Sequence, residues 1–93
     1  MYALIRSKQF QKSFKKLVKN GLKKKNIDEL ARVIDILASG GCLAQEYRDH
    51  KLHGEYEGYR ECHIRGDLLL IYQIVESELV LVLINIGSHS ELF

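Results

Sequence analysis

Leu68-Leu69-Leu70-Ile71-Tyr72-Gln73-Ile74-Val75 is apolar at nearly every position, broken only by Gln73. A run of this length without alternation reads as a central strand buried on both faces. The residues before it, Tyr59 to Arg65, do alternate. Glu61, His63 and Arg65 fall on one side, Cys62 and Ile64 on the other. Arg65-Gly66-Asp67 between the two segments has the composition of a turn. After the apolar run, Glu76-Ser77 is a second turn and Leu79 to Ile86 a further strand. Three strands joined by tight turns make an antiparallel meander.

Working outward, the N-terminal half has a different period. Tyr2 to Arg6 reads as a short strand. Ser7 can cap a helix over residues 8–20, where Phe10, Phe14, Leu17 and Val18 make one apolar stripe and lysines occupy the other side. Asn20-Gly21 ends it, glycine supplying a left-handed residue. Asn26 and Glu29 predict a capping pair for a second helix to about Ala38. Its buried face is Ile27, Leu30, Ile34 and Leu37, widened by Val33, and Gly40-Gly41 stops it. The fold class is therefore α+β: an N-terminal strand, a two-helix hairpin, then a three-stranded antiparallel meander, with the helices on one face (β-α-α-β-β-β).

The 93 residues make a single domain, 1–93. At this size folding hides only about 60–65% of the chain's surface, so each apolar strand counts. Cys42 and Cys62 form no Cys-x-x-Cys pair and read as two reduced, partly buried thiols of a cytoplasmic protein. Tyr2-Ala3-Leu4-Ile5 is too short for the apolar core of a secretory signal, and no run is long enough to span a membrane.

Net charge is +2, but unevenly placed. Residues 1–27 hold Arg6, Lys8, Lys12, Lys15, Lys16, Lys19, Lys23, Lys24 and Lys25 and no acid, whereas all 12 acidic residues follow. Such segregation suits a polyanion or an acidic partner; a solvated lysine-rich helix face is the plainer alternative.

All 4 histidines lie in the C-terminal half, in Tyr47-Arg48-Asp49-His50-Lys51-Leu52-His53-Gly54, Tyr59-Arg60-Glu61-Cys62-His63-Ile64-Arg65-Gly66-Asp67 and Gly87-Ser88-His89-Ser90-Glu91-Leu92-Phe93. So many titratable groups around one sheet suit proton transfer on a polyanion. His63, among charged face-mates, is the first candidate. His89 is the second, with Leu92 and Phe93 able to anchor the chain end. His53 reads as a surface residue. His50-x-x-His53 with His63 permits a three-nitrogen metal site, but the spacing is not that of a zinc module.

The string Gly54-x-Tyr56-x-Gly58-Tyr59-Arg60-Glu61-Cys62-His63-Ile64, with Asp67-Leu68-Leu69-Leu70-Ile71-Tyr72, Gly87-Ser88-His89-Ser90-x-Leu92-Phe93 and the upstream Tyr47-Arg48-Asp49-His50-x-Leu52, resembles the YafQ branch of the RelE-like toxins. The resemblance implies a type II toxin that cleaves mRNA in the ribosomal A site and is neutralised by a RelB/DinJ-type antitoxin. By position it implies that His50, His63, Asp67 and His89 are the catalytic group and Phe93 a functional aromatic. Three positions depart from the pattern: Gly66 stands for proline, Leu68 for tryptophan, and Asn85 for an arginine that faces the scissile phosphate. Either Arg60 or Arg65 then meets the phosphate charge, or the protein is a weak nuclease.

RNA can be cut through its own 2′-hydroxyl with one base and one acid, which histidine supplies near neutral pH. The expectation is thus a metal-independent endoribonuclease that needs no cofactor. Lys12, Lys15, Lys16 and Lys19 would hold ribosomal RNA, and Tyr56, Tyr59 and Phe93 could stack on bases. A non-catalytic RNA- or ribosome-binding module is the alternative, and an inert partner-binding scaffold a third reading.

Overall fold

The structure, a computed structural model, describes residues 1–93. β1 (Ala3–Arg6) leads into α1 (Lys8–Lys19) and α2 (Lys24–Ala38), followed by β2 (His50–Lys51), β3 (Arg60–Arg65), β4 (Leu68–Val75), β5 (Val80–Gly87) and a terminal helix, α3 (His89–Leu92). The five strands form one sheet in the order β1-β5-β4-β3-β2. β3, β4 and β5 are the expected antiparallel meander. β1 closes the far edge parallel to β5, from Ala3 opposite Val80 to Arg6 opposite Leu83. β2 was not expected; it pairs only His50 with Glu61 and Lys51 with Arg60, too short a segment to show a period.

Ser7 caps α1 by accepting the Phe10 N–H at 3.0 Å, and its own hydroxyl donates to the Ile84 carbonyl. One side chain therefore starts the helix and pins it to β5. Gly21, with φ of +94°, makes the left-handed turn after Asn20. Val18 is outside the core at 46% exposure. Eight residues past Phe10 it lies ~80° round the helix, at the margin of the buried stripe. α2 begins earlier than the Asn26 capping pair predicts. The Lys23 carbonyl accepts the Asn26 and Ile27 N–H groups, so the main chain closes the first turn, and Lys24 pairs with Asp28 at 2.9 Å across it. Its deepest residues are Leu30, Val33 and Leu37, with Ile34 and Ile27 flanking.

β4 is buried on both faces as its composition demands. Leu68, Leu70 and Tyr72 join Phe10, Leu30, Val33, Leu37, Cys62, Ile64 and others in the core beneath the helices. Leu69 and Ile71 project to the opposite face, where they form a small buried cluster with Leu92, and Leu52, Tyr56, Tyr59 and Ile84 pack around it. That second face has no long helix over it, and the histidines gather there.

Candidate functional site

Alternation along β3 turns Arg60, Cys62 and Ile64 towards the helices and Glu61 and His63 to the open face. The β2 pairing brings His50 directly opposite Glu61. His50 Nε2 lies 3.4 Å and His63 Nε2 3.9 Å from the same oxygen, Glu61 Oε1, and the two imidazoles are 6.5 Å apart. Glu61 is only 4% exposed, and its Oε2 has no hydrogen-bond partner. Sequence reasoning counted Glu61 among exposed face-mates of His63. β2, beside β3 in the sheet, places His50 against Glu61.

His50 Nδ1 is 2.7 Å from the Arg48 carbonyl. A carbonyl only accepts, so Nδ1 carries a proton. Nε2 of a neutral His50 would then turn a lone pair towards the Glu61 carboxylate. The contact is attractive only with a proton between the two groups, on the ring or on the acid. A proton on either group would join His50 to Glu61 beside His63.

The rest of the histidine group hangs from the chain end. Strand register puts His63, Leu69 and Gly87 in one row across the sheet, and β5 stops at Gly87. A Cβ there would meet Glu91 Oε1 at 3.1 Å and Leu92 Cδ2 at 3.5 Å, so glycine lets the Glu91 side chain pack tightly against the strand end. Ser88 and Glu91 form a reciprocal capping box: Glu91 Oε1 accepts the Ser88 N–H at 2.7 Å, and Ser88 Oγ accepts the Glu91 N–H. The Ser88 backbone bond, then its hydroxyl, holds the Glu91 carboxyl below its usual range. Asp67 Oδ1 accepts the His89 main-chain N–H at 3.4 Å, so Asp67 steadies the segment through its backbone rather than the imidazole. Phe93, 49% exposed, packs 5.2 Å from both the His89 and the Tyr56 rings. The Tyr56 hydroxyl donates to the Leu92 carbonyl at 3.1 Å. Tyr56, a stacking candidate in the sequence, thus also tethers the terminus.

The cations divide. Arg60 is separated from the histidines: its Nε donates to Asp49 Oδ1 at 3.2 Å, on the helix side of β3, and Tyr72 donates to the same oxygen at 2.6 Å. Burial, then the bond to Asp49, pushes the Tyr72 phenol up. Being odd in register against Glu61, Arg60 could have been excluded by alternation alone. Arg65 stays exposed in a cleft beside His63. Asn85 is already engaged: its Oδ1 accepts from the Ser13 hydroxyl at 2.6 Å and from the Ile86 N–H at 2.8 Å. It lines a groove with Lys12, Lys16 and Glu91, while Lys15 and Lys19 are exposed on α1. His53 is exposed. No group of three or more His, Cys, Asp or Glu side chains has the arrangement of a metal site. Neither cysteine is partly buried: Cys42 is exposed, while Cys62 is sealed in the core, where burial pushes its thiol up to about 12 and leaves it inert.

The sequence matches, over residues 2–93, the family described as bacterial toxin of type II toxin–antitoxin system, YafQ. It is 30% identical over 87 residues to the mRNA interferase toxin YafQ of Escherichia coli strain B, covering 91% of this chain and 92% of that protein. A metal-bound toxin from Helicobacter pylori superposes with a TM-score of 0.89 at 46% identity, with all of both chains covered. The E. coli DinJ–YafQ complex matches with a TM-score of 0.85 at 29% identity, over 100% of this chain and 99% of that one.

Proposed function

Because this chain belongs to the YafQ family of bacterial toxins from type II toxin–antitoxin systems, we propose that it is a ribosome-dependent endoribonuclease that cuts mRNA by metal-independent acid–base catalysis. The observation that carries the reading is the convergence of His50 and His63 on the buried Glu61. His63 takes the proton of a 2′-hydroxyl. The freed oxygen attacks the adjacent phosphorus, and the bond from phosphorus to the 5′-oxygen breaks. A proton joining His50 to Glu61 goes to that leaving oxygen, giving a 2′,3′-cyclic phosphate and a 5′-hydroxyl end. His89 shares the proton work from the far end of the row, with its backbone held by Asp67. Phe93 offers a half-exposed ring on which a base can stack. Each positioned proton transfer is worth roughly 10²–10⁴-fold.

Arg65 stands beside His63 to meet the phosphate charge, and Asn85 contributes at most a neutral hydrogen bond. Lys12, Lys15, Lys16 and Lys19 give α1 an exposed basic face for ribosomal RNA. The E. coli relative is bound by DinJ, and the partner proposed for this chain is a DinJ-type antitoxin. The site of action is the cytoplasm, where bacterial ribosomes work; no helix is long and apolar enough to cross a membrane.

Primer extension on translating ribosomes tests the reading. The toxin is treated with EDTA beforehand and ribosomal magnesium restored. Cleavage of the bound message should persist. Translation arrest without cleavage would select the occupancy alternative. Activity lost to the chelator and returned by zinc or copper would mean that the histidines work through a metal, as the metal-bound relative makes worth asking.

A further inference from the structure

Arg48 lies between a 3-10 turn (Gln45–Tyr47) and β2. It is one of only two non-glycine residues with positive φ, at φ 49° and ψ 43°. A left-handed backbone is costly for a long side chain, and glycine or asparagine would take it more readily. The residue nevertheless carries a guanidinium. Arg48 lines an open cleft of about 410 Å³ with Glu46, His63, Ile64, Arg65 and Gly66. Neither Arg48 nor Arg65 takes part in any ion pair of the molecule, whereas Arg60, the other arginine of this region, is committed to Asp49. Two unpaired arginines thus flank one wall of a cleft that contains an imidazole. Glu46 is the single acid in the cleft and is exposed, so the cleft keeps a net positive charge.

The Arg48 main chain is also committed to the site. Its carbonyl fixes the proton on His50 Nδ1. The same left-handed turn therefore aims His50 at Glu61 and delivers the Arg48 side chain to the His63 side.

We propose that Arg48 and Arg65 form a phosphate subsite beside His63, with Arg48 the residue that supplies the charge Asn85 lacks. The ligand is a phosphodiester oxygen of single-stranded RNA, gripped by planar guanidinium donors. The assignment rests on the nuclease reading above, but the subsite can be tested without cleavage. A charge-assisted hydrogen bond of ordinary strength corresponds to roughly 10–100-fold.

The test uses inorganic phosphate as probe and the His63 ring resonances of the full chain as reporter, alongside single-turnover cleavage on ribosomes. Arg48→Gly and Arg48→Asn both suit the left-handed backbone and both remove the charge. The wild-type His63 signal should shift saturably with phosphate, and both variants should weaken that response about tenfold or more. Cleavage should fall roughly 10–100-fold, while the melting temperature stays at or above wild type and Arg48→Lys recovers part of the loss. That opposition between stability and activity is not produced by a merely structural residue. A wild-type phosphate response in the Gly or Asn variant would overturn the proposal, as would a wild-type chain that ignores phosphate. A phosphate response that depends on Arg48 in a protein that never cuts RNA would keep the subsite and sink the nuclease reading instead.

Discussion

His50 and His63 stand on hydrogen-bonded strands and share a buried carboxylate, whereas His89 and Phe93 ride on a four-residue helix at the end of the chain. The first pair is placed by the sheet ladder, which also carries the core. The second is placed by a capping box, one buried leucine, one aspartate contact and the Tyr56 tether. Two halves of one candidate site thus differ in what holds them. His63 on β3 can be lost only with the fold or with its own side chain, while His50 depends on the short β2 pairing. The terminal half can be released while the sheet survives, because local opening needs only a few weak contacts to break.

The largest effect should come from removing the imidazoles. His63→Ala and His89→Ala should each lower single-turnover cleavage by roughly 10²–10⁴-fold if both halves transfer protons. Thermal melts should stay close to wild type, since both side chains are partly or fully exposed. If His89→Ala cuts as fast as wild type, the terminal half is a tail and the comparison collapses to one working half.

A smaller effect, about tenfold, is expected for Glu61→Gln, in line with losing one hydrogen bond to a charged group. The amide keeps the shape but cannot take up a proton from His50. Its melting temperature should not fall, because a buried carboxylate with an unpartnered oxygen is itself costly. A lower melting temperature with unchanged cleavage would make Glu61 a structural residue only.

The smallest effect separates the halves by pH. Glu91 has its folded-state pKa lowered by Ser88. Its contribution to the cap is complete above the ordinary carboxyl value of 4.5 and disappears as pH falls through the lower folded value. Hydrogen exchange should therefore show the Glu91 and Leu92 amides losing protection on acidification before those of β4. Simultaneous loss in both would show that the terminal helix is no looser than the sheet.

Much of this was legible in the order of residue types. Leu68–Val75 had to lie between layers because it offers apolar groups to both faces, and it does. Ser7 before the Phe10 stripe marked the start of α1, and Gly21 its end. Motif resemblance pointed to the family. Contacts between distant short segments were not legible. β2 has only two residues and no periodic signal, yet it decides that His50 faces Glu61. Asp49 gives no hint in the sequence that it ties down both Arg60 and Tyr72.

By itself, then, the sequence determined the strand and helix types, the two-faced burial of β4 and the family, because these follow from local periodicity and from residues in fixed spacing. Only the tertiary structure decided the parallel docking of β1, the pairing of His50 with Glu61, the loss of Arg60 to Asp49 and the cleft shared by Arg48, His63 and Arg65. Each of these depends on which segments meet across the sheet. That choice is made by the whole core at once, and no local pattern in the chain encodes it.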